Sequence, residues 1–311
     1  MHADPLGDAL REALGDAVRG THDTLRVRPV NIAQISSLFA FARTHARRIA
    51  VPGSTLGTGP GVVALELDAL STIRALDAES QTLHVEGGAG IQAVEAHLRA
   101  RGLTLGTRGD LDPRVSVSAW LASGAPGARA HADDPVDQLV CGLDVVLADG
   151  TLLTIRPAPR RAVGPDLVPA FVGGRAALGV IVGAHLVARR HGPRTRIAYR
   201  FASRDAAESA RAWIRGHGVR PASTAIIQDG ASSFLTAEIE GARAIREACI
   251  ATVALLATER GGVACDAADV PAASPAHIAE PSDVVRALAR ALDPVNILGH
   301  GHGHSERAST P

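Results

Sequence analysis

Residues 49–59 read IAVPGSTLGTG. Ile49-Ala50-Val51 is a short apolar run of strand type. It opens directly into a loop of small residues from Pro52 to Gly59. In such a loop, backbone N–H groups stand open with little side chain over them, and consecutive amides of this kind can converge on a phosphate. Taken alone the stretch is equally an ordinary tight turn after a strand. Its neighbours decide between the two.

Upstream, Leu6, Leu10, Leu14 and Val18 recur every four residues and predict a helix over 6–19. Leu25 to Pro29 is extended, and Asn31 is placed to cap a helix over 32–46. Downstream, 62–67 reads as a strand, and 73–77 with 82–86 as a hairpin. A helix over 91–101 ends at Gly102. Residues 114–130 are small and glycine-rich. Residues 139–156 form two strands joined at Ala148-Asp149-Gly150, and 184–188 is a final strand. After a linker at 189–193 the order becomes strand 196–201, helix 203–216, strands 223–228 and 234–239, then helix 242–260. That order predicts a small α+β domain on an antiparallel sheet. The stripe Ile245, Cys249, Val253 and Leu256 reads as the core face of that last helix. A closing helix spans 283–292, and 299–311 is a low-complexity tail expected to be disordered.

Composition narrows the function. The 311 residues carry 32 basic and 32 acidic side chains, for zero net charge, which argues against a nucleic-acid partner. Every basic residue is Arg, so Lys Schiff bases and a P-loop lysine are excluded. No apolar run reaches membrane-span length, and residues 1–5 lack a signal peptide's basic and apolar regions. Three widely spaced cysteines, Cys141, Cys249 and Cys265, then read as reduced thiols in a cytoplasmic protein.

In order along the chain, VPGSTLGTG, HVEGGAGIQAVEAHLRARGLTLG, GDLDPRVSVSAWLASGAPGAR, VCGLDVVLADG, PDLVPAFVGGRAALGVIVGAHL and LDPVNILGHG resemble the FAD-linked oxidases of the vanillyl-alcohol-oxidase, or PCMH-type, superfamily. The nearest branch holds alkyl-dihydroxyacetonephosphate synthase, D-lactate dehydrogenases and glycolate oxidase subunits. The resemblance covers about half the chain and implies an α+β fold: a two-subdomain PCMH-type FAD-binding domain with a small ferredoxin-like cap. It implies FAD-binding residues 1–190, a reduced cap at 191–280, a return helix at 281–298 and a tail at 299–311. The implied cofactor is FAD, held by backbone amides in place of cations. Pro52, Gly53, Ser54, Thr55, Leu56 and Gly57 would grip the diphosphate. Asp110, Ser116, Ser118, Ser123, Gly124 and Gly127 would flank the flavin. Leu178, Gly179, Val180 and Ile181 would contact the adenosine side, with Arg175 reaching an anion or standing solvated at the surface.

Other readings of these residues stay open. Ser118 and Ser123 sit in no G-x-S-x-G elbow and read as capping hydroxyls, and Asp110 as a turn residue. His84 and His97 read as surface residues. His300, His302 and His304 alternate with glycine in the tail, and no metal site is expected. No catalytic side chain is assigned: there is no His-His-His run, and the single tyrosine, Tyr199, falls early in the cap.

Three functions follow from this. One is an FAD-dependent oxidoreductase passing hydride from a small hydroxy acid or related CH–OH substrate to flavin N5. Another is an inactive flavin-fold subunit or scaffold, because Ser54, Ser118-Ala119 and Arg175-Ala176 add side chains where the family carries glycines or a Ser-Glu-Gly. The third is an adenine-nucleotide or anion-binding module. The expected partners are a small-molecule substrate and either a second copy or a larger flavoprotein subunit.

Overall fold

The computed structural model describes residues 5–21, 24–107, 112–125, 139–158, 166–219, 221–230, 232–271 and 281–299. They fall into two compact units. The first comprises the residues up to 125 together with 139–189 and 281–299, and the second comprises 190–271.

The first unit begins with α1 (Pro5–Leu14), which buries Leu10 and Leu14. The helix is shorter than its period predicts, because Gly15 takes φ +57 and turns the chain through one 3₁₀ turn into β1 (Val18–Arg19). β2 (Arg26–Val27) pairs antiparallel with β1. Helix α2 (Ile32–Thr44) starts where Asn31 Oδ1 accepts the Gln34 amide at 3.0 Å, and it buries Ile35, Leu38, Phe39 and Ala42. β3 (Arg48–Ala50) and β4 (Val62–Leu65) complete a sheet of order β1-β2-β4-β3, with β4 parallel to both neighbours. Leu10, Val27, Ile35, Phe39, Ile49 and Val63 share one core beneath it.

The second lobe of this unit is built on β5 (Ile73–Asp77), β6 (Thr82–Glu86), β8 (Val140–Leu147), β9 (Leu152–Ile155) and β10 (Gly179–Val187). Between them lie α3 (Ile91–Arg99), β7 (Leu103–Thr104), α4 (Val117–Ala122) and α5 (Val168–Phe171). The sheet order is β5-β6-β10-β8-β9, antiparallel throughout. The hairpin turn at 148–150 forms as its sequence predicts, with Asp149 Oδ1 accepting the Thr151 amide at 2.8 Å. β10 begins at Gly179 and continues through Gly183, where its register with β8 shifts, so it is longer than the predicted 184–188. Gly179 is required there, since a Cβ would stand 2.4 Å from the Val146 carbonyl oxygen.

Trp120 is fully buried in this lobe's core with Leu83, Val85, Leu143 and Val145. Helix α3 turns one carboxylate inward. Glu95 is buried and accepts the Leu105 amide at 3.0 Å, the Arg99 Nε at 2.9 Å and the Thr104 hydroxyl.

At the boundary lies β11 (Arg189–Arg190). The second unit continues with β12 (Arg194–Phe201), α6 (Arg204–Gly216), β13 (Ser223–Asp229), β14 (Ser232–Glu240), α7 (Arg243–Glu259) and β15 (Val263–Cys265). The sheet order β13-β14-β12-β15 on a β-α-β-β-α-β chain is the ferredoxin-like arrangement. Tyr199, Phe201, Leu235 and Ile239 pack against Ala207, Ala210, Ile214, Val253 and Leu256. Tyr199 is therefore core, and burial raises its phenol pKa. Ile245, expected in the buried stripe of α7, is 61% exposed and lies over the Gly241 turn. The chain then returns to the first unit through α8 (Asp283–Leu292), whose Val285 and Ala289 enter the second lobe's core. Among the described residues, no helix is long and apolar enough to cross a membrane.

Glu86 closes β6 almost fully buried. Burial alone would raise its pKa, but the Thr72 amide, donating to Oε2 at 2.7 Å, and the Arg74 guanidinium together hold it below the ordinary value. A carboxylate with a depressed folded pKa stabilises the fold above its unfolded pKa of about 4.3, and that contribution disappears as pH falls through the folded value. Glu86→Gln should cost on the order of 1 kcal/mol at pH 7 and progressively less below pH ~4. Urea melts of both proteins across that range measure it; a constant difference would show that Glu86 ionisation is not linked to folding.

Candidate functional site

Three loops meet around the six-residue helix α4. The first follows β3. Val51 is buried, and its carbonyl takes the Ser54 amide at 3.0 Å, closing a turn over Pro52 and Gly53. Gly53 has φ +85 and lies directly on α4: a Cβ there would be 2.6 Å from Ala122 Cβ and 3.0 Å from the Ala119 carbonyl oxygen. Only glycine permits both this conformation and this approach. Within and after this turn, the amides of Gly53, Thr55, Leu56 and Gly57 donate to no group among the described residues. Thr55 and Gly57 are exposed, and a cavity of roughly 250 Å³ opens beside Thr58 and Gly59, lined also by Thr24, Leu25, Arg26, Val62 and Ala64.

The second loop leads into α4. Ser116 Oγ caps the helix by accepting the Ala119 amide at 3.2 Å, and Ser123 Oγ donates back to the Ala119 carbonyl at 2.7 Å. Ser123 thus acts as the capping hydroxyl its sequence context predicts, while the cap at the helix start is Ser116 and not Ser118. Ser118 differs. Its amide donates to Gly87 O at 2.8 Å, but its buried hydroxyl has no partner among the described residues. A buried hydroxyl without a partner is costly, and a ligand atom would satisfy it. Gly124 ends the loop with its Cα facing that of Gly173. Asp110 and Gly127 lie outside the described residues.

The third loop spends its amides inside the protein. Gly173 N donates to Leu121 O at 2.9 Å and Arg175 N to Ala122 O at 2.9 Å, while the Ala177 and Gly179 amides close local turns. Arg175 and Ala176 take left-handed φ values of 55° and 57°, uncommon for residues with a Cβ. The Arg175 Nε is buried without a partner among the described residues. Ala176 packs into the first lobe's core, and Leu178, Val180 and Ile181 are buried in the cores of the two lobes.

The structure therefore brings Pro52 to Gly57, Ser116 to Gly124 and Gly173 to Arg175 around one helix. Among the described residues of the three loops, the first alone has a run of free donors. A further neighbour was not singled out among the site residues: the closing segment. Asp293 Oδ1 and Oδ2 accept the Ile297 and Leu298 amides at 3.0 and 2.9 Å, Ile297 O accepts the Ile49 amide at 2.7 Å, and Leu56 packs on Gly299. The run DPVN carries an Asp with short local reach, which is the available signal.

This donor set suits a dinucleotide diphosphate: unpaired amides at Gly53 and, in succession, at Thr55, Leu56 and Gly57, with an unsatisfied hydroxyl on the adjoining helix. Residues 24–156 match the family described as "FAD binding domain". An uncharacterized FAD-linked oxidoreductase, YgcU of Escherichia coli, is 28% identical over 143 residues, covering 46% of this chain and 30% of that protein. A probable mitochondrial D-lactate dehydrogenase of Danio rerio is 29% identical over 196 residues, covering 58% and 39%. The matched segments thus span less than two fifths of either relative. Among solved structures, an alkyldihydroxyacetonephosphate synthase superposes with TM-score 0.66 at 15% identity over 85% of this chain and 61% of that one, a likeness of fold.

Gly53→Ala should push the first loop off α4 and cost about 1–3 kcal/mol. Adding Ala122→Gly removes the atom nearest the clash and should restore part of that loss. Denaturation of the two variants tests the contact; no loss in the single variant, or no recovery in the double, would mean the loop does not rest on α4. Residues 24–156 thus match an FAD binding domain in sequence, and the chain shares its fold with a solved alkyldihydroxyacetonephosphate synthase.

Proposed function

We propose that the chain is an FAD-dependent oxidoreductase acting on a small hydroxy acid or related CH–OH substrate in the cytoplasm. The observation that carries the reading is the row of unpaired amides at Gly53, Thr55, Leu56 and Gly57 beside α4. These residues would hold the diphosphate, and Ser118 would donate its free hydroxyl to the cofactor. When bound, FAD supplies a hydride acceptor at N5 for the substrate C–H. The protein's own part is to bind and orient. Gly53 fixes the loop against the helix, the hydrogen bonds from Gly173 and Arg175 hold the helix end, and Leu56 on Gly299 closes the outer side. The D-lactate dehydrogenase similarity supports the substrate class, and three free cysteines support the compartment.

A second reading, an inactive subunit pairing with a larger flavoprotein or with itself, is favoured by one observation. The third loop spends the Gly173 and Arg175 amides on α4, and its left-handed positions carry the side chains of Arg175 and Ala176.

The purified chain, incubated with excess FAD and desalted, should keep absorbance between about 350 and 500 nm. Its melting should also shift with FAD, by ~2.7 kcal/mol at a hundredfold excess over Kd, more than with FMN, NAD or ATP. A colourless protein with no FAD-dependent shift would overturn the first reading in favour of the second. A shift with ATP alone would point to a nucleotide-binding module.

A further inference from the structure

On the second-lobe sheet, three neighbouring strands present His84 (β6), His185 (β10) and Asp144 (β8). His84 and His185 are directly paired across the ladder. Their flanking residues Leu83, Val85, Ala184, Leu186, Leu143 and Val145 all point into the core, so by alternation the three polar side chains stand together on the opposite face. One ligand atom from each lies within 4.8 Å of the others. His84 Nε2 is 3.7 Å from Asp144 Oδ2, close to the roughly 3.3 Å edge of a tetrahedral site with bonds near 2.0 Å. The imidazoles stack with centroids 4.0 Å apart. The His84 and Asp144 side chains are 27% and 22% exposed, which leaves a way in for an ion and a coordination position for water.

Two features beyond the cluster support a built site. Thr154 Oγ1 donates to Asp144 Oδ1 at 2.9 Å, fixing one carboxylate oxygen and leaving the other towards His84. Such outer partners orient metal ligands. Gly183, opposite Asp144 in the ladder, has no side chain to displace that carboxylate: a Cβ there would stand 2.9 Å from Oδ2.

We propose that His84, His185 and Asp144 form a binding site for one divalent transition-metal ion of the zinc class, with a solvent-open position. Two imidazoles and a carboxylate are the donors such ions select. The site lies apart from the three loops around α4, and it stands whether or not FAD binds.

The test is equilibrium dialysis and calorimetry with ZnCl₂ on the EDTA-stripped full-length chain. Its background should be a variant with His300, His302 and His304 changed to Ala, which removes the competing tail imidazoles. One zinc per chain is expected. His84→Ala, at a partly exposed position, and Asp144→Ala should each weaken binding by at least about a hundredfold, and Thr154→Val by about tenfold. Cobalt substitution supplies a readout independent of these variants: visible d–d bands of nitrogen and oxygen ligation, with no thiolate charge-transfer band. No zinc bound by the tail variant, affinity unchanged in His84→Ala and Asp144→Ala, or a thiolate band with cobalt would each overturn the site.

Discussion

The arrangement of the cofactor loops depends on the buried C-terminal end of a short helix. The last carbonyls of α4 have no partner within the helix and must be satisfied from outside. Ala119 O takes the Ser123 amide and hydroxyl, Leu121 O takes the amides of Gly124 and Gly173, and Ala122 O takes that of Arg175. The third loop is therefore tied to α4 by the helix's own unmet hydrogen-bonding demand. The first loop reaches the same helix by a different route, the missing side chain at Gly53. Because it docks by shape, its amides remain free. The two modes of attachment divide the work: one loop supports the helix, and the other keeps its donors for a ligand.

This division changes the meaning of the non-glycine residues in the third loop. A left-handed residue with a Cβ costs roughly 1–2 kcal/mol. At Arg175 the bond to Ala122 O offsets part of that cost, and at Ala176 burial in the first lobe's core does. Strain of this size persists only where the surroundings over-determine the backbone. Added side chains at 175 and 176 therefore bear on the loop's structural duty. The replacement with the most direct bearing on a ligand is Ser118, whose hydroxyl is the unsatisfied group on α4.

Much of the fold was legible because local chemistry and tertiary structure agree. Asn31 caps α2, Ser203 caps α6, and Asp149-Gly150 turns the β8–β9 hairpin. The disagreements have physical causes. Gly179 and Gly183 look like strand breaks, yet each sits inside β10 because a neighbouring strand leaves no room for a Cβ. β15 is three residues long with two of them exposed, so it carries no alternating signal. The composition of the loops shows that their backbones are accessible, but nothing in it distinguishes the spent amides of Gly173 and Arg175 from the free ones of Gly53 and 55–57. That distinction depends on carbonyls of α4, far away in sequence. For the same reason His84 reads as a surface residue until β10 and β8 bring His185 and Asp144 beside it.

The closing segment shows how a loop with so few backbone bonds is kept in place. The chain leaves the first unit after Arg189 and re-enters it through α8. It then turns at Asp293, a buried carboxylate that accepts two successive amides and so fixes the backbone of Ile297 and Leu298. That fixed stretch extends the edge of β3 through the Ile49–Ile297 bond and sets Gly299, at φ +68, under Leu56. A side chain at 299 would meet Leu56, so glycine there serves the loop as Gly53 does on the opposite side. The first loop is thus clamped between two glycine contacts, α4 within and the returning chain without. Neither contact uses its amide donors, and that is how a short, polar, glycine-rich segment can be both held and open.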